Sequence, residues 1–110
     1  MARRLVPLSD AERRAAETNG DTRALVKHYL ALLQAKAPGA SVEVRVPPYA
    51  AVQVIEGVRH TRGTPPAVVE MPADIWIAAA SGAISWPDAL ATGRVTASGE
   101  RTDLSPYLPL

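Results

Sequence analysis

An α+β fold is predicted from three features of the 110-residue sequence: a helical amino-terminal region, a run of short alternating strands, and two glycine-closed helices that lead into one returning strand. The last of these is the most distinctive. Pro72 suits a first helical position because its φ is fixed and its missing N–H would be unpaired there anyway, and Asp74 complements the amino-terminal dipole. Gly82 closes that helix. Ser85 caps the next, with Pro87 in its first turn and Asp88 three residues after the cap, and Gly93 closes it. Arg94-Val95-Thr96-Ala97-Ser98-Gly99 then alternates as a strand does.

The earlier elements follow in order. Ser9-Asp10-Ala11-Glu12 is a capping-box pattern that starts a helix, and Asn19-Gly20 is expected to stop or kink it. A second helix is predicted from Asp21 to about Lys36, with Leu25, Val26, Tyr29, Leu30, Leu32 and Leu33 on its apolar stripe. His28 is placed on its surface. Ala37-Pro38-Gly39 ends this helix. Ser41 to Val46 alternates strictly, which puts Val42, Val44 and Val46 on one face and Glu43 and Arg45 on the other. Pro47-Pro48-Tyr49 turns the chain into a second strand, Ala51 to Ile55, antiparallel because the link is short. A third strand is predicted over Ala67 to Met71, after a loop from Gly57 to Pro66.

Composition narrows the function classes. The chain reads as one domain over residues 1–110, with residues 1–20 a helical extension that is either packed or mobile. Its 47% apolar content is carried by small residues, with no Phe, two Trp and three Tyr, so the core is assembled from small pieces. A net charge of +1 gives no long-range attraction for nucleic acid or for an anionic membrane. The absence of cysteine excludes disulfides and thiol chemistry. The first eight residues hold two arginines and no long apolar run, so neither a signal peptide nor a membrane-spanning helix is predicted. Cytoplasmic location is the default expectation.

The run Asp74 to Gly82, then Ser85-Trp86-Pro87-Asp88-Ala89-Leu90, then Gly93 to Gly99, resembles the closing pattern of the sterol carrier protein type 2 family. Ser41 to Tyr49, the arginine-histidine loop and Leu104 to Leu110 look like its small actinobacterial members. The resemblance implies a curved, mostly antiparallel sheet covered by helices. Space between the two layers can form an apolar tunnel for a fatty acid, sterol, other lipid or acyl-CoA. Similar domains also accompany proteins resembling mycothiol-dependent isomerases, where this chain would act as an accessory module and catalysis would be supplied elsewhere.

Candidate sites divide by chemistry. Val44, Val46, Val52 and Val54 form an apolar sheet face that Ile75, Trp76 and Leu90 can cover, either as ligand-lining residues or as packed core. Trp76 is expected to face inward with Ala79 or Ala80, and Trp86 to be partly exposed. Arg59, His60 and Arg62, joined by Arg45, offer paired donors to a head group, a CoA phosphate or a carboxylate; alternatively they are solvated charges that protect a sheet edge. The terminal Tyr107-Leu108-Pro109-Leu110 is expected to dock on its own core, with contact to another protein or a second copy as the alternative.

Enzyme chemistry has little support. There is no G-x-S-x-G elbow, and the two histidines are separated, so neither a nucleophile nor a metal site is predicted. No nucleotide or nucleic-acid motif is present. No cofactor is expected. The reading is a non-catalytic carrier for a hydrophobic or acyl-bearing molecule; the alternative is an interaction module with a filled core, and a third is an enzyme using Arg59, His60 and Arg62 on an anionic substrate.

Overall fold

The computed structural model describes residues 4–57 and 67–110, so Arg59, His60 and Arg62 lie outside the described residues. Helix α1, Asp10–Asn19, begins with a complete capping box: Ser9 Oγ accepts the Glu12 N–H, and the Glu12 carboxylate accepts the Ser9 N–H. Gly20 ends it in the left-handed region. Asp21 caps α2, Thr22–Lys36, by accepting the Ala24 N–H. The stripe of α2 is buried at Leu25, Val26, Tyr29, Leu30 and Leu33. His28 is buried as well, only 5% exposed, contrary to its predicted surface position. The cause is the chain before α1, which crosses α2 and places the Leu8 N–H on His28 Nδ1 at 2.9 Å.

The strands β1 (Val42–Val46), β2 (Ala50–Val54), β3 (Ala67–Glu70) and β4 (Thr96–Ser98) form one sheet in the order β2-β1-β3-β4. Two of its pairings, β1 with β2 and β3 with β4, are antiparallel; β1 with β3 is parallel. The sheet is therefore mixed. Val42, Val44 and Val46 sit beside Val54, Val52 and Ala50 across the β1–β2 ladder and beside Ala67 and Val69 on the other side, so the apolar positions share one face. The helices cover that face. Glu43, Arg45, Gln53 and Glu70 point the other way.

Several boundaries move by a residue. Strand β2 stops before Ile55 because that residue takes φ 67° and turns its N–H to the Ala37 carbonyl. Strand β4 is shorter than the alternation over Arg94 to Gly99 suggests. Its start is delayed because Thr92 Oγ1 accepts the Arg94 N–H, while the Arg94 guanidinium is held by both carboxylate oxygens of Asp74 at 2.8 and 3.1 Å. Pro72 is the cap rather than the first residue of α3, Ala73–Ser81, and Ser85 caps α4, Trp86–Ala91, through the Asp88 N–H. No helix among the described residues is long and apolar enough to cross a membrane.

Candidate functional site

Val44, Val46, Val54 and Trp76 have no accessible surface, and Val52 and Ile75 retain 5% and 7%. Val42, Val69, Leu30, Leu33, Met71 and Leu104 complete this interior with at most 1% exposure each. A side chain that lines a water-sized void keeps measurable area, so the sheet face around Val44, Val46, Val54 and Trp76 is filled by its neighbours. Trp76 faces inward, as its spacing with Ala79 and Ala80 predicts, and its indole N–H is satisfied by the Val26 carbonyl at 3.3 Å. Leu90 departs from expectation. It is 45% exposed and does not cover the valines, because α4 turns Trp86 and Ala89 inward and the residue after Ala89 is rotated by about 100°.

Among the described residues, unfilled volume lies where α3 ends and α4 begins. A cleft of about 350 Å³ is lined by Ala79, Gly82, Ile84, Ser85, Trp86, Pro87, Ser105, Leu108 and Pro109. Three segments build it. Gly82, at φ 88°, ends α3 and allows the turn that brings Ile84 and Ser85 round to start α4. Trp86 then projects inward and is 4% exposed, not partly exposed as expected; the sequence gives no sign that the terminal segment folds beside it. That segment is docked: the Leu110 N–H donates to the Ala80 carbonyl at 2.8 Å, and Lys36 Nζ donates to the Tyr107 and Pro109 carbonyls at 2.8 and 3.4 Å. Leu104 anchors its start with no exposed surface.

No lining residue of this cleft is ionisable. Ser85 Oγ is already committed to the cap of α4, which leaves Ser105 and the rim of the indole as its polar elements. Such a wall suits an apolar group and gives a charged head group no partner. The nearest ion pair on α3 is Arg94–Asp74, where the guanidinium hydrogen bond holds the Asp74 carboxyl below its ordinary value of 3.8. Sequence reasoning identified Trp86 and the tail separately but missed their meeting at Ala79 and Ile84. Only the hydrophobic character of residues 107–110 hinted at it.

Arg45 stands elsewhere. It lies on the outer sheet face beside Glu70, with Nη1 4.0 Å from the Glu70 carboxylate and its Nε bonded to Glu43, so its charge is shared between two carboxylates. A second, shallow cleft of about 350 Å³ runs from Arg45 and Glu70 along Pro47, Pro48 and Tyr49. Arg23 sits 5.9 Å from the centroid of the Tyr49 ring at this edge. Residues 57 and 67, which flank the arginine-histidine loop, lie at the Val42 end of β1, about 10 Å of strand away from Arg45. Among the described residues no cluster of His, Cys, Asp or Glu is arranged to hold a metal ion.

Comparison with known proteins accords with the architecture. No curated protein matches the chain significantly. Residues 18–110 match the family described as bacterial SCP ortholog, a match that takes in the sheet, the paired helices α3 and α4 and the docked tail. Family membership supports a sterol- or lipid-carrier type of role in general terms. The chain belongs to the bacterial SCP ortholog family, in keeping with its α+β order of helices, mixed sheet, paired helices and returning strand.

Proposed function

We propose that this protein binds or carries a hydrophobic or acyl-bearing small molecule without converting it, and that the apolar part of the ligand enters the cleft between the end of α3, the start of α4 and the tail. One observation carries this reading: a cleft of about 350 Å³ with no ionisable wall, in a chain of the carrier family. Pockets that hold small molecules start at about this size. The valine face is a poorer entry point, since a ligand there would have to displace side chains that have no exposed surface. Arg59, His60 and Arg62 are proposed as the contact for an anionic head group.

Trp86 provides the readout. Titration with a fluorescent fatty acid should give saturable binding and change the tryptophan emission, and Trp86→Phe should remove that change while Trp76 continues to emit. Native mass spectrometry should recover retained lipid. Reproducible absence of both retained lipid and saturable binding would refute the carrier reading for the ligands tried. Arg59→Ala with Arg62→Ala should weaken acyl-CoA more than a neutral sterol; equal affinities would remove the loop from the site.

The filled valine interior favours a second reading, an accessory or interaction module whose surface contacts a protein partner or a second copy. Absence of lipid binding together with co-elution with a partner would select it.

A further inference from the structure

His28 is a buried titratable side chain that the carrier reading does not use. Its Nδ1 accepts the Leu8 N–H at 2.9 Å, and three residues earlier the Leu5 N–H donates to Gln34 Oε1 at 3.3 Å. Residues 5–8 therefore run along α2 from Gln34 towards His28. Leu5 and Leu8 pack on the core, while Val6 between them is 82% exposed. Two hydrogen bonds and two half-buried leucines hold this arm. That is a small attachment, and one of its bonds depends on a nitrogen lone pair.

We propose that residues 4–9 form an acid-released latch, held to α2 by the Leu8 N–H on the unprotonated Nδ1 of His28 and let go when that nitrogen takes a proton. The chemistry is specific. An imidazole that accepts at Nδ1 must be neutral with its proton on Nε2, whereas an imidazolium has two donors and no acceptor. Protonation sets N–H against N–H and leaves the Leu8 donor without a partner. The arm cannot follow by rotating, because Leu8 immediately precedes the capping Ser9 of α1.

The surroundings set where this happens. Burial pushes the imidazole below its ordinary 6.5, and Arg13 of α1 acts in the same direction; Asp10 and Glu17 of α1 oppose them. Tyr29 meets the imidazole edge-on from the same helix, and residues 5–8 of the arm carry no ionisable side chain. The arm and most of α1 precede residue 18, where the family match begins, while His28 lies inside it.

The test is an NMR titration of the full ¹⁵N-labelled chain from pH 8 to pH 5 at constant ionic strength, following the His28 ring nitrogens and the amides of residues 5–8. At pH 8 the ring should be the Nε2–H tautomer. As pH falls, the Leu8 amide should lose its hydrogen-bonded shift with the midpoint of the ring, below 6.5, the docked-to-free ratio changing about tenfold per pH unit beyond it. His28→Gln supplies an acceptor that takes no proton, so its Leu8 signal should stay flat. Leu8→Pro removes the donor and keeps the imidazole, so the ring midpoint should rise towards 6.5. A Leu8 amide that stays fixed while the ring protonates, or a ring midpoint unmoved by Leu8→Pro, would overturn the proposal.

Discussion

Ile55 holds φ 67°, a conformation that costs a β-branched residue about 1–3 kcal/mol. It is retained because its surroundings outweigh that cost. Its carbonyl accepts from the Ser41 N–H and Oγ, its N–H reaches the Ala37 carbonyl, and its side chain is buried. At about 1 kcal/mol per hydrogen bond and about 1.5–3 kcal/mol for the side chain, the balance favours the strained form. Gly39 makes the approach possible, since a Cβ there would lie 2.2 Å from the Ile55 carbonyl carbon. Gly39→Ala should therefore destabilise the protein by about 3 kcal/mol, seen as a lower urea midpoint with an unchanged m-value. His28 gives a second prediction at this scale. Because its folded pKa is lowered, the unfolded chain binds more protons, so its stabilising effect is complete above pH 6.5 and is lost as pH falls through the folded value. His28→Gln should abolish that slope. It should leave the separate loss at lower pH, where Glu12, Asp74 and Asp103, all held below their ordinary 4.5, 3.8 and 3.8, take up protons.

The short helices depend on their ends. Helix α4 has only six residues, too few to be stable alone, and its Ser85 cap satisfies one of the free N–H groups at its start. Ser85→Ala should cost about 1 kcal/mol in thermal or urea unfolding. It should also loosen Trp86, the next residue, and so shift tryptophan emission to the red. Arg94–Asp74 ties the start of α3 to the chain before β4, but both side chains are more than half exposed, so the pair contributes at most about 1 kcal/mol. Its effect is on the path of the chain. Capping signals, glycine stops and strict alternation were legible in sequence because each acts within a few residues. The late start of β4 was not, because it depends on a bond across 20 residues.

Across the whole molecule, the terminal segment decides how much of the apolar surface is open. Leu108 and Pro109 form one wall of the cleft, and Leu110 and Lys36 fix that wall in place. Removing residues 108–110 should leave the domain folded, since Leu104 still anchors the chain, but should expose Trp86 to quenching by acrylamide and weaken fatty-acid binding about tenfold or more. Leu104→Ala is different in kind. Its side chain is fully buried, so about 2–5 kcal/mol of stability should be lost, with ligand affinity falling only where the protein unfolds.

By itself the sequence determined which segments become helices and strands, the valine face of the sheet and the inward side of Trp76, all of which rest on local dihedral preference and side-chain period. Tertiary structure decided the rest. It set the parallel pairing of β1 with β3, buried His28 under the chain before α1, turned Leu90 outward and brought the tail against Trp86. Each of these depends on which distant segment arrives to cover a surface, and that is fixed by the total apolar area buried, not by any local pattern.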